Sequence, residues 1–217
     1  MTSDHWLQLL KHHRAIAIIR TDHLVQGMQM ARAIAAAGMA LIEITWNSDR
    51  PNQLIRQLRA ELPHCYIGAG TLLTPLQVSE AVAAGAQFLF TPHVATDLLV
   101  IAQAAHVPLV MGALSPTEIV TAWQAGASAV KVFPIKAVGG ADYIRCLQGP
   151  LGHIPLIPTG GATLANARDL LAAGAIAVGL AGELFPKRVV ASEDWQMITS
   201  KAEELRRHIA DYSCRIE

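Results

Sequence analysis

The chain has 217 residues, which suits one sizeable core or at most two small ones. Its 17 Lys and Arg balance 17 Asp and Glu, with no basic run and no aromatic–basic interleaving, which argues against a nucleic-acid partner. Apolar residues reach 52% and charged residues only 16%, as expected when a core is covered on both faces or a subunit contact is buried.

The opening, MTSDHWLQLLKHHRAIAIIR, lacks the apolar block and small-residue cleavage site of an export signal. Within it, 2–13 reads as a helix whose Trp6, Leu7, Leu9 and Leu10 would cover one end of a core. Strands are then expected near 15–19, 40–45, 65–69, 87–90, 108–112, 129–133, 155–158 and 176–179. Between them, helices are expected over roughly 24–37, 51–61, 75–84, 95–105, 116–125, 141–148 and 163–173. A last helix, about 192–210, places Trp195, Ile198, Leu205 and Ile209 on one face. No apolar run reaches the ~18–20 residues of a membrane span. Cys65, Cys146 and Cys214 are scattered and odd in number, which fits a reducing cytoplasm better than a disulfide framework.

One phrase recurs along the chain. IAAAGMALIEIT, AVAAGAQFLFTP, AWQAGASAVKVFP and LLAAGAIAVGLA each end an Ala-rich helix, place a glycine at the stop and enter an apolar strand. A relative, AQAAHVPLVMG, lacks the glycine. Strands that are apolar on both faces are those of a parallel sheet wrapped by crossover helices. Eight such units predict a single (β/α)8 TIM barrel over 1–217, with an extra N-terminal helix and short loops. The rival, an open doubly wound sheet, would call for a G-x-G-x-x-G after the first strand, and none is there.

In such a barrel, chemistry collects at the C-terminal strand ends. There the sequence offers Arg20, Glu43, Thr45, Asn47, Thr71, Pro92, His93, Lys131, Thr159 and two glycine turns. Glu43 and Lys131 each interrupt an apolar run, and a buried charge must be paired or neutralised. A structural ion pair would satisfy that demand. So would chemistry, with Lys131 as an imine-forming amine and Glu43 moving protons. Gly160–Gly161, with Thr163 as a helix cap, and the turn Ala181–Gly182 could together hold a phosphate or similar anion on free amides. The nine histidines show no metal-ligand spacing, so no metal and no cofactor are expected. Lys136, five residues after Lys131 in a loop, reads by default as a solvated side chain.

The segments LIEITWNS, IGAGTLLTP, FLFTPH, AVKVFP and IPLIPTGG occur in the order and spacing of a known family. The chain resembles the class I aldolases that split 2-keto-3-deoxy-6-phosphogluconate (KDPG) or 4-hydroxy-2-oxoglutarate (KHG). The resemblance implies a metal-free homotrimer of barrels that cleaves its substrate reversibly to pyruvate and an aldehyde. It implies Lys131 as the Schiff-base lysine and Glu43 as the general acid/base. Thr71 would hold the pyruvyl carboxylate with Arg20 nearby, Pro92, Phe133 and Thr159 would line the pocket, and Gly160, Gly161, Ala181 and Gly182 would bind phosphate. Two positions depart from the gluconate pattern. Asn47 stands where the gluconate type often has an Arg, in a segment EITWNSDRP closer to that of the related 6-phosphogalactonate aldolases, although Thr45 leans back toward the gluconate type, and Ala181–Gly182 stands where a Gly-Ser turn is frequent. An isomerase or epimerase barrel using Glu43 as a base, a metal-dependent aldolase and a purely structural barrel are the remaining alternatives.

Overall fold

The structure is a computed structural model that describes residues 1–213. Its strands are β1 (Ala15–Ile19), β2 (Leu41–Thr45), β3 (Tyr66–Gly70), β4 (Leu89–Phe90), β5 (Leu109–Ala113), β6 (Ala129–Val132), β7 (Leu156–Pro158) and β8 (Val178–Leu180). All pair in parallel, in the order β7-β6-β5-β4-β3-β2-β1-β8. A bridge between Thr159 and Gly179, with the Ile176 amide donating to the Leu156 carbonyl, joins β7 to β8 and closes the barrel. The expected (β/α)8 barrel is therefore the fold observed.

The helices are α1 (Ser3–His13), α2 (Leu24–Ala36), α3 (Pro51–Glu61), α4 (Pro75–Ala83), α5 (Thr96–Ala104), α6 (Pro116–Ala125), α7 (Ala141–Leu151), α8 (Ala167–Ala172), α9 (Lys187–Ala191) and α10 (Trp195–Ser213). No described helix is long and apolar enough to cross a membrane.

The repeated phrase has a physical basis. At the end of α6, Gly126 has φ 105°; its amide donates to the Trp123 carbonyl, and the Ala127 amide reaches back to the Ala122 carbonyl. This pair of bonds satisfies two orphan carbonyls and turns the chain straight into the next strand. The same pair recurs at Gly38, Gly85 and Gly174. After α5, where the glycine is missing, His106 takes the left-handed conformation itself (φ 56°) and makes the same two bonds.

Alternation along each strand sorts the core into two layers. Ile42, Ile67, Met111, Val130, Val132, Leu156 and Val178 pack outward under the helices. Ile16, Ile18, Leu41, Phe88, Phe90, Val110, Ala129 and Ile157 fill the barrel, joined by Trp6, Leu9 and Leu10 of α1. Thr2 caps α1 by accepting from the His5 amide, and Trp6 stacks on Phe88 at 4.7 Å. The N-terminal helix is thus a lid over one barrel end, as the sequence indicated. Among the cysteines, Cys65 is buried, with its thiol pushed up to about 11 by loss of solvent, and Cys146 is exposed; both are free. Cys214 lies outside the described residues.

Three expectations need correction. Of the strand expected over 87–90, Leu89–Phe90 is regular strand, while Gln87 and Phe88 bond to β3 through the Gln87 amide to the Ile67 carbonyl at 2.8 Å and the Ala69 amide to the Phe88 carbonyl at 3.0 Å. The helix expected from 163 begins at Ala167, because Thr163 and Asn166 first close a turn by exchanging side-chain-to-amide bonds of 3.1 and 2.7 Å. The last helix, expected from about 192, begins at Trp195, since Glu193 adopts φ 55° just before it, and a short helix that was not expected, α9, precedes it.

Candidate active site

Lys131 lies between Val130 and Val132, which both face outward, so alternation turns it into the barrel. It is 5% exposed. Its ammonium stands 5.6 Å from the Phe90 ring centre and 5.1 Å from that of Phe133. These faces supply a cation–π field in a dry site. The neighbour in register on β5 is Gly112. A Cβ there would collide with the backbone of Pro92 and His93, so the glycine lets the loop after β4 bend over the barrel mouth. That loop is itself held by Thr91, whose hydroxyl donates to the His93 carbonyl at 2.6 Å. Pro92 is half-buried beside the site, and His93 is exposed and finishes the turn.

Glu43 is fully buried on the interior face of β2, and neither carboxylate oxygen has a hydrogen-bond partner among the described residues. Burial pushes its pKa up; the positive fields of Lys131 and Arg20 pull it partly back. The two charged groups share the barrel interior, yet no direct ion pair joins them among the described residues. This weighs against the purely structural reading, in which the pair would be closed and hydrogen-bonded. The carboxylate occupies the space that a side chain at position 70 would need, so Gly70 on β3 is what admits it.

The β2 loop is pinned by hydroxyls. The Ser48 Oγ accepts from the Thr21 amide at 3.3 Å and stands 3.1 Å from the Thr45 Oγ1. The Asp49 amide donates to the Thr21 carbonyl at 2.8 Å, and the Trp46 amide donates to the Gly70 carbonyl at 2.7 Å. Asn47 is exposed in this pinned loop, and Arg20 is exposed just after β1.

Thr71 follows β3 with φ 59°. A β-branched residue in this region is strained, and such strain collects at functional positions. Phe133, 37% exposed, closes the other side. Its ring fits against Gly160, where a Cβ would lie 2.8 Å from it. Thr159 is buried; its amide donates to the Val132 carbonyl at 3.0 Å.

Gly160 and Gly161 (φ 74° and 124°) follow β7, and Ala181 and Gly182 follow the adjacent β8. The amides of Gly160, Gly161, Ala162, Gly182 and Glu183 find no acceptor among the described residues. Five unpaired N–H groups on two neighbouring turns form a cradle suited to an anion. Ala181 and Gly182 contribute no hydroxyl to it.

The barrel thus brings the candidate site residues named from the sequence to its C-terminal end. Sequence reasoning missed Phe90 beneath Lys131, the space made by Gly70 and Gly112, and the Thr21–Ser48–Thr45 chain. The polar ends of the first two strand loops could have flagged the hydroxyls. The aromatic face and the close approaches need the assembled barrel.

The profile of the KDPG and KHG aldolase family matches residues 7–201. A 2-dehydro-3-deoxy-phosphogluconate aldolase of Dickeya dadantii is 33% identical over 91% of this chain and 92% of its own length. The crystal structure of KDPG aldolase from Legionella pneumophila, with pyruvate captured as a covalent carbinolamine, superposes with a TM-score of 0.85 at 27% identity, over 92% of this chain and 97% of that one. A native KDPGal structure gives 0.84 at 29% identity, over 92% and 96%. With a buried lysine and a buried glutamate facing each other inside a closed barrel, and with the family profile spanning most of its length, the chain belongs to the KDPG and KHG aldolase family.

Proposed function

We infer that this protein is a class I aldolase that cleaves 2-keto-3-deoxy-6-phosphogluconate reversibly to pyruvate and glyceraldehyde 3-phosphate. The observation that carries the reading is Lys131, buried inside the barrel and, among the described residues, left without a direct anionic partner beside an unsatisfied Glu43. The Lys131 amine adds to the C2 ketone. Glu43, through water, moves the protons that expel the hydroxyl and leave an iminium. Glu43 then takes the C4 hydroxyl proton, the C3–C4 bond breaks, and its electron pair enters the iminium as an enamine. Protonation at C3 and hydrolysis release pyruvate and restore the amine.

Thr71, with Arg20 near it, holds the pyruvyl carboxylate, Pro92, Phe133 and Thr159 line the pocket, and Gly160, Gly161, Ala181 and Gly182 take the phosphate. Cleavage of 4-hydroxy-2-oxoglutarate to pyruvate and glyoxylate uses the same centre without the phosphate cradle. A second reading, the C4-epimeric galactonate substrate, is favoured by Asn47, which offers an amide rather than a guanidinium at the mouth. The ratio of kcat/KM on the two epimers decides between them. A homotrimer also belongs to this reading. Leu73, Leu76 and Val100 are exposed by 52%, 67% and 65% on the neighbouring α4 and α5 side, an apolar surface suited to burial between copies. Light scattering should read three copies, and a monomer mass would remove this part.

The chemistry is tested by reducing the protein with borohydride in the presence of pyruvate. A pyruvyl adduct on the Lys131 peptide, with a kcat loss of about 10⁴-fold or more in Lys131→Met, is expected. No adduct, or one on another lysine, overturns the assignment.

A further inference from the structure

We propose that Lys136 is a phosphate-binding residue, its ammonium completing the amide cradle after β7 and β8. The proposal rests on the phosphorylated-substrate reading above and adds a side chain to it. Lys136 lies in a short 3-10 helix, Ile135–Val138, directly after the strand that carries Lys131. The sequence suggested a solvated loop lysine. The structure instead ties it to the glycine turn. Its amide donates to the Gly160 carbonyl at 3.1 Å, next to the Ile135 amide, which donates to the Thr159 carbonyl at 2.9 Å. Its Cβ occupies the place that a side chain on Gly161 would need. Glycine at 161, with φ 124°, therefore does two things: it turns the amides outward and makes room for the lysine stem.

The electrostatics ask for such a group. The cradle offers amides and no hydroxyl at Ala181–Gly182, and Glu183, exposed on the same turn, adds a negative charge. A phosphate dianion held there by amides alone would face that repulsion. Lys131 is committed to the substrate ketone, and Arg20 acts on Glu43 across the mouth. Among basic side chains on the strand-end loops, Lys136 is the one whose backbone and Cβ touch Gly160 and Gly161. No carboxylate pairs with it among the described residues. Its four-carbon stem starts at the cradle's edge, and a flexible ammonium is well suited to a phosphate approached from one side.

The test compares wild type, Lys136→Met and Lys136→Arg on 2-keto-3-deoxy-6-phosphogluconate and on the same sugar acid without phosphate. In Lys136→Met, kcat/KM on the phosphorylated substrate should fall about 10–100-fold, mostly through KM, the range of one charge-assisted contact. On the unphosphorylated substrate it should stay within about twofold, Lys136→Arg should recover most of the loss, and pyruvate trapping by borohydride should proceed at the wild-type rate. If wild type favours the phosphorylated substrate but Lys136→Met loses less than about threefold, or loses equally on both substrates, Lys136 is not a phosphate ligand while the cradle stands. If wild type shows no preference for the phosphate, the cradle and Lys136 fall together.

Discussion

At its N-terminal end the barrel is filled by Trp6, Leu10, Ile16, Phe88 and Val110, whereas its C-terminal end presents Gly70, Gly112, Glu43, Lys131 and Thr159. The first group packs ring on ring, with Trp6 stacked on Phe88 and edge-on to Phe90. The second, among the described residues, leaves two charged groups without direct partners and five amides unused. The two ends differ in the volume of the inward side chains. Large residues below leave no space, and glycines above let a carboxylate and a folded loop enter the lumen. Stability is concentrated where the lumen is full, and chemistry where it is held open.

Phe90 is the layer between them. It meets Trp6 on one side, at 6.4 Å, and the Lys131 ammonium on the other, at 5.6 Å. Removing the plug is the strongest way to probe the division. Trp6→Ala should destabilise the fold by about 3–5 kcal/mol, the usual result of emptying a fully buried indole. Urea unfolding reads this as a lower midpoint at unchanged slope. At temperatures where the variant stays folded, kcat should remain within a few-fold of wild type. A much larger fall in kcat, with the fold intact, would show that Phe90 transmits the loss to Lys131 and that the two ends are not separable.

The same division explains what the chain made legible. Lys131 and Glu43 stood out because a charge inside an apolar strand has few explanations, and alternation alone fixed which way Lys131 points. The closed barrel followed from a helix stop used again and again, including the variant at His106, where a histidine takes over the left-handed turn. The region over 87–90 is strand only at Leu89–Phe90, yet Gln87 and Phe88 already bond to β3, and Phe88 turns its ring into the lumen. Thr163 looked like a helix cap because its hydroxyl does accept an amide; it closes a turn one step before the helix. Lys136, Ser48 and Gly70 were opaque for a common reason. Each acts on a segment far away in sequence, through an approach that only the closed barrel creates.

Glu43→Gln sharpens the comparison with a smaller effect, and with a sign that separates the ends. Burial raises the folded-state pKa of Glu43 above its unfolded value. Below the ordinary carboxylate range both states hold the proton, and stability does not change with pH on account of this group. As pH rises from that range toward the folded pKa, the unfolded chain releases its proton while the folded chain keeps it. Stability is lost across this window and then levels off, since folding carries the penalty of either a retained proton or a buried anion. Gln has no such proton, so this pH-dependent loss should be absent: measured against its own stability near pH 4, the variant should gain on wild type as pH rises to neutral, seen as a smaller fall in Tm. Over the same range its aldol activity should fall by about 10²–10⁴-fold, the share of a positioned acid/base. Calorimetry across pH, beside kcat, distinguishes this from a structural carboxylate. If Glu43→Gln instead loses stability at neutral pH, the carboxylate and Lys131 support each other as a folding element. The open end of the barrel would then be held together by its charges rather than strained by them.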